Sequence, residues 1–167
     1  MGTARAAFAV GVVAVVGVLV WSAAVLPEQV PRLFDADGSA TAYASRGVWL
    51  AGMAGTAAVV VAVLLGAVPA VRRWPRLANV PNAGVWRRPE HREQLVRLLT
   101  EDMLLLAGAA LLLLAGVCAL SASAAQQAEP TIGPWGWLLS AVFAAVVVAR
   151  VVWMLTRRYA VPEDARR

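Results

Sequence analysis

The sequence contains no lysine, one cysteine and one histidine. Cys118 lies alone inside an apolar run, so an intrachain disulfide is excluded. A zinc site needs about four converging nitrogen, sulfur or oxygen ligands, and His91 and Cys118 lie on different segments. We therefore expect no metal and no cofactor, and no group of residues indicates an enzyme.

Composition indicates a membrane protein. Of the 167 residues, 60% are apolar, against about 45–50% in a soluble domain. The net charge is +5, and every lysine-or-arginine position that contributes to it is an arginine. These arginines gather at the ends of apolar segments, where membrane topology places them, so we expect no nucleic-acid partner.

The first apolar stretch covers residues 6–26 and ends before Pro27. Its 21 residues rise about 31 Å as a helix, enough to cross a hydrocarbon core of about 30 Å. A signal peptide cleaved near Ser22 is the alternative, but its apolar region would be about 7–15 residues long. The length favours a retained helix.

Three further apolar stretches predict spans at residues 47–71, 103–122 and 135–155, with an external loop at 27–46 and a cytoplasmic loop at 72–101. In that second loop, Pro89 and Glu90 suit the first turn of a helix. Glu93 and Arg97 are four residues apart, as an ion pair on a helix requires. The sequence therefore predicts one domain over residues 1–167, an all-α membrane protein. Its fold is a four-helix transmembrane bundle with a short amphipathic interfacial helix before the third span.

Arginine placement predicts the orientation. Twelve arginines fall on the side of the two termini and the 72–101 loop, and two, Arg32 and Arg46, fall on the other side. By the positive-inside rule, both termini are cytoplasmic. Tryptophans near the span ends, such as Trp49 and Trp135, suggest an interfacial belt. Small residues four apart on span two, such as Ala51 and Gly55, suggest close helix packing there.

Arg150 is the one formal charge inside a predicted span. A charge at the centre of a span costs about 2.5–3.5 kcal/mol on insertion scales, so such residues are functional candidates. Arg157 follows seven residues later, about 10 Å along the helix, so the Arg150 side chain can reach the headgroups. Such snorkelling or a structural contact is favoured over a transport role.

Two polar clusters remain open to more than one interpretation. Asp35 and Asp37 precede Gly38 as in a calcium loop, but the glycine comes too early for that motif, and an Asp-Gly turn explains them better. The arginines of the 72–101 loop can attract anionic lipid at the cytoplasmic face, bind a membrane or cytoplasmic protein, or simply fix topology.

Two motifs flanking span two resemble a known family. Leu26-Pro27-Glu28-Gln29-Val30-Pro31, followed by Phe34, Asp35 and Gly38, and then Asn79-Val80-Pro81-Asn82 with Trp86 and Pro89-Glu90, are similar to segments of the bacterial domain-of-unknown-function 1648 (DUF1648) membrane proteins. Leu33 stands where that family usually has histidine, so no role of the histidine carries over. The family includes longer SdpI-type proteins that resemble toxin-immunity factors.

The resemblance implies a multi-pass protein of the bacterial plasma membrane. We expect a non-enzymatic protein with a regulatory or immunity-like role through protein or lipid binding; the alternative is a small transporter or an accessory subunit of a membrane transport complex. The external motif residues are Pro27, Pro31, Phe34, Asp35 and Gly38. The expected contacts with a partner or lipid are Arg72, Arg73, Arg76, Asn79, Pro81, Asn82, Trp86, Arg87, Arg88 and Arg92.

Overall fold

A computed structural model describes residues 2–74, 80–86 and 88–160. Its elements in chain order are helix α1 (Gly2–Val25), strands β1 (Gln29–Phe34) and β2 (Ala40–Ser45), helix α2 (Arg46–Arg73), the single turn α3 (Ala83–Trp86), helix α4 (Arg92–Ala124) and helix α5 (Gly133–Trp153). A 3-10 turn, Pro89–His91, precedes α4, and a π-helical turn, Met154–Arg158, follows α5.

The four long helices confirm the predicted spans. Each of Gly2–Val25, Arg46–Arg73, Pro89–Ala124 and Gly133–Arg158 is long and apolar enough to cross a membrane. Their ends carry the expected signals. Ser45 caps α2 by accepting a hydrogen bond from the backbone N–H of Val48, and Pro134 occupies the first turn of α5.

The segment expected to form a short amphipathic interfacial helix before span three is continuous with that span. Helix α4 runs without a break from Arg92, and its 33 residues extend about 50 Å. This length exceeds a hydrocarbon core of about 30 Å, so part of the helix projects beyond it. Leu95 is buried inside the protein, not turned towards lipid.

Helix α4 is the centre of the bundle, and α1, α2 and α5 pack around it. Helices α1 and α4 approach most closely at Gly11 and Gly108. A Cβ on Gly108 would lie 2.7 Å from the carbonyl oxygen of Ala7, so only glycine fits. By contrast, a Cβ on Gly52 or Gly55 of α2 would meet no atom of the described residues within 4 Å, so these two glycines take part in no close helix crossing there.

The two ends of the bundle differ. The arginine-rich end holds the start of α1 and α4 and the last turns of α2 and α5. The hairpin end holds β1 and β2, which form an antiparallel pair. Trp49 lies buried at the hairpin end among Leu26, Val30 and Cys118. It is therefore a core residue and does not belong to the expected aromatic belt.

The loop at residues 27–46, which we expected to be external, contains a β-hairpin where the sequence predicted only a loop. The backbone N–H of Gly38 donates to the carbonyl of Asp35 at 3.1 Å, and Gly38 has φ of +87°. A turn followed by a left-handed glycine is typical of three-residue hairpin loops, so the Asp-Gly pair is explained as a turn. The register shifts beside Pro31, which has no N–H for a regular ladder.

Candidate functional site at the arginine-rich end

Two adjacent acids of α4 lie at the arginine-rich end. Asp102 is fully buried, with 0% of its side chain exposed, and Glu101 is 19% exposed. Because a buried carboxylate without partners costs free energy, Asp102 requires partners that balance its charge. Both acids lie outside the predicted span at 103–122, whereas the structure includes them in α4, within the candidate span Pro89–Ala124.

Arg150 of α5 forms an ion pair with Asp102. Its guanidinium also lies 4.5 Å from the ring centroid of Trp153, within the range of a cation–π interaction. The intramembrane arginine therefore makes a structural contact between α4 and α5, one of the two outcomes that the sequence favoured.

Arg158 completes the charge cluster, which we define as Glu101, Asp102, Arg150 and Arg158. Arg158 pairs with Glu101, and its Nε lies 3.3 Å from Oδ1 of Asp102, as an ion pair without hydrogen-bond geometry. Two acids and two arginines give a formal charge of zero. Arginine suits this setting because its planar guanidinium can contact carboxylates and an aromatic face together.

Tyr159 joins the charge cluster to the loop. Its hydroxyl donates to Oδ2 of Asp102 at 2.8 Å. Burial, together with this hydrogen bond, raises the pKa of Tyr159, so the phenol remains a donor at neutral pH. Its backbone carbonyl accepts hydrogen bonds from Nε1 of Trp86 at 3.2 Å and from Nδ2 of Asn82 at 3.3 Å.

Trp86 is a buried residue and not an exposed contact or a membrane anchor. Only 1% of it is exposed. Its ring lies edge-on to those of Tyr159 and His91, with centroids 6.2 Å apart in both cases. We call Trp86, His91 and Tyr159 the aromatic cap. The cap packs with Val71, at the end of α2, and with Leu95 of α4, so it fixes the loop to the bundle.

The expected contact residues divide into two groups. Arg72, Arg73 and Arg88 are exposed, and Arg92 is half-buried with its guanidinium donating to the carbonyl of Arg72. We call these four the arginine surface. Asn82 and Trp86 instead hold the loop, and Pro81 is half-buried beside them. Arg76, Asn79 and Arg87 lie outside the described residues.

The external motif residues lie at the other end of the molecule. Pro31 and Gly38 are buried, Phe34 is half-buried, and Pro27 and Asp35 are exposed. The neighbouring Asp35 carboxyl, and the hydrogen bond that Asp37 accepts from the backbone N–H of Ser39 at 2.8 Å, lower the pKa of Asp37 to about 2. These residues shape the hairpin turn and do not meet the arginine surface.

Among the described residues, no three acids, histidines or cysteines converge as metal ligands would. In the charge cluster, each carboxylate pairs with an arginine, while Nε of Arg150 and Nε of Arg158 are buried without a hydrogen-bond partner in the described part of the chain. The arginine surface, by contrast, exposes Arg72, Arg73 and Arg88 to solvent. The site can therefore hold helices and a loop together while it presents positive charge.

No protein-family model, no curated protein and no solved structure matches the chain. The resemblance to the DUF1648 proteins accordingly depends on the two loop motifs.

Proposed function

We propose that the chain is a non-enzymatic, multi-pass plasma-membrane protein of DUF1648 type that acts by binding through its arginine surface. In this proposal the arginine-rich end faces the cytoplasm, and the role is regulatory or immunity-like. The observation that supports it most is the aromatic cap, because it holds residues 80–86 of the loop against the bundle while Arg72, Arg73 and Arg88 stay exposed.

Ordering a loop against the bundle costs conformational entropy. A loop that served only to fix topology would need its arginines but not a buried tryptophan, two hydrogen bonds to Tyr159 and a histidine packed on the ring. Arginines carried on an anchored backbone lose less conformational entropy when they bind a carboxylate or phosphate than arginines on a mobile segment do. The cap therefore favours recognition over simple charge.

A crosslinking experiment from native membranes tests the proposal. The double variant Arg73→Gln/Arg88→Gln removes two exposed charges of the arginine surface. The decisive companion is Trp86→Phe, which keeps every arginine but removes the hydrogen bond to Tyr159. We expect both variants to lose a partner that the wild type captures, while Arg32→Gln at the hairpin end retains it.

The outcomes separate recognition from charge. If Trp86→Phe captures the partner as well as the wild type does and only the arginine variant fails, the surface acts by charge alone. In that case anionic vesicles should bind the wild type and Trp86→Phe equally. If neither variant differs from the wild type, binding by this surface is refuted.

Cysteine labelling tests the orientation. In a Cys118→Ala background, an impermeant maleimide should label Ala128→Cys from outside the cell, because that exposed residue lies at the hairpin end. Gly84→Cys, exposed at the other end with no neighbour for its Cβ within 4 Å, should react only after permeabilisation. The reverse pattern would invert the topology.

A small transporter or transport subunit is the second candidate, and Asp102 is the observation that favours it, because a buried acid within a span is a feature of ion and proton pathways. Its ion pairs with two arginines and the hydrogen bond from Tyr159 argue for a structural role, since the arginines already balance its negative charge. Substrate-dependent flux in proteoliposomes that Asp102→Asn abolishes would favour transport over binding.

A further inference from the structure

A groove of about 240 Å³ opens at the hairpin end between the hairpin and the spans. Four elements contribute to its walls, so it is not a crevice of one helix pair. The hairpin supplies Arg32, Phe34 and Asp35, α2 supplies Met53, and α4 and α5 supply residues that include Leu120 and Trp137. Trp137 is held in place because its Nε1 donates to the carbonyl of Ala36 at 3.2 Å.

The rim of the groove carries two opposite charges that do not neutralise each other. Within the described part of the chain, Arg32 has no hydrogen bond or ion pair from its side chain, and none joins it to Asp35. One oxygen of Asp35 accepts from the hydroxyl of Ser39 at 3.1 Å. The rim thus offers a free guanidinium and a carboxylate at separate positions, which suits a ligand that carries both signs of charge.

The floor of the groove is apolar and continues between the spans. Leu120 lines both the groove and a neighbouring apolar cleft between α4 and α5, which also includes Gly116, Leu139 and Val142. Helix α5 has no buried residue, so this cleft is open along its side. A ligand seated at the rim can therefore extend an apolar chain towards the middle of the bilayer.

We infer that the groove binds a zwitterionic aminophospholipid. Its phosphate contacts Arg32, its ammonium group contacts Asp35, and an acyl chain lies in the cleft between α4 and α5. A primary ammonium donates up to three hydrogen bonds, whereas a trimethylated one donates none and a glycerol headgroup has no positive charge. The site should therefore prefer phosphatidylethanolamine over phosphatidylcholine and phosphatidylglycerol.

Native mass spectrometry of the full chain, delipidated in detergent and titrated with the three dioleoyl lipids, tests this inference. We expect tighter binding of phosphatidylethanolamine than of phosphatidylcholine by roughly two- to fivefold, the range of partly exposed ion pairs. Asp35→Asn should remove this preference. Arg32→Gln should weaken the binding of both phosphatidylethanolamine and phosphatidylcholine, and Arg32→Lys should retain most of that binding. Leu120→Trp should weaken all three lipids by filling the cleft.

Glu28→Gln is the matched control, because Glu28 is an exposed acid at the same end of the molecule and does not line the groove. It should leave the lipid preference unchanged. Arg88→Gln removes one charge at the arginine-rich end and controls for lipid bound there. Equal affinity of the wild type for the three lipids, or an equal effect of Asp35→Asn and Glu28→Gln, would overturn the inference.

Discussion

Replacing Asp102 with asparagine removes one charge from the charge cluster and changes its shape little. In the wild type, the carboxylate is fully buried and meets Arg150, Arg158 and the hydroxyl of Tyr159. The asparagine oxygen can still accept from Tyr159. What is lost is the negative charge that balances Arg150.

The expected cost follows from the exposure of the partners. Removing one member of a buried, hydrogen-bonded pair typically costs about 3–5 kcal/mol. Arg150 and Arg158 are 24% and 18% exposed, so water can partly replace the lost contact, and Glu101 still pairs with Arg158. We therefore expect Asp102→Asn to lower the free energy of unfolding by about 2–3 kcal/mol.

An exposed pair on the same end provides the comparison. Arg72 and Glu93 lie 3.3 Å apart with side chains 63% and 78% exposed, so Glu93→Gln should cost at most about 1 kcal/mol. Adding Arg150→Gln to Asp102→Asn should cost less than the sum of the single changes, by about 1–2 kcal/mol, because the two residues contact each other.

Reversible unfolding by sodium dodecyl sulfate in mixed micelles, followed by circular dichroism, measures all four variants. Additive effects of Asp102→Asn and Arg150→Gln would show that the two charges do not stabilise each other. A cost of Asp102→Asn no larger than that of Glu93→Gln would refute the view that the charge cluster joins α5 to α4.

Three further predictions concern packing, a single hydrogen bond and pH. Gly108→Ala should lower the free energy of unfolding by about 1–3 kcal/mol, because its Cβ would lie 2.7 Å from the backbone oxygen of Ala7. The control Gly17→Ala, whose Cβ would have no neighbour within 4 Å, should be near neutral in the same unfolding assay. Equal losses in the two variants would contradict the close crossing. Tyr159→Phe should cost about 1 kcal/mol through the lost hydrogen bond to Asp102, and an unchanged midpoint would contradict it. The pKa of Asp37, which its surroundings lower to about 2, should be measurable by a carboxyl carbon NMR titration. The ionised Asp37 stabilises the fold above pH 3.8, and this stabilisation is lost as the pH falls towards 2. A measured pKa near 3.8 would contradict the prediction.

The four spans could be predicted because length and hydropathy are local properties of the chain. The hairpin could not be predicted from the same information. Strand β2 alternates alanine with threonine, tyrosine or serine, so its two faces differ little in hydropathy, and β1 contains Pro31. A strand signal depends on a clear period of two, and neither strand provides one. Pairing between them supplies the stability that the pattern does not reveal.

The charge cluster shows how a span boundary can hide a partner. With span three begun at Met103, Asp102 counted as a loop residue and Arg150 had no acid at its depth. The sequence did contain a signal, since an acid at the start of span three and an arginine near the end of the antiparallel span four fall at the same end of the bundle. Trp86 could not be placed in this way, because its partner Tyr159 is 73 residues further along the chain.

Helices α1 and α5 illustrate two different ways to hold a span. Between spans surrounded by lipid, apolar contact gives little net gain, so close packing and polar contacts decide which helices associate. Helix α1 uses close packing, at the Gly11–Gly108 crossing. Helix α5 has no buried residue and is held at its ends, by Trp137 at the hairpin and by Arg150 at the charge cluster. The residues that join these helices are therefore glycines and polar groups near the ends of the spans. Because such residues contribute little to a hydropathy average, hydropathy predicts the number of spans but not their packing.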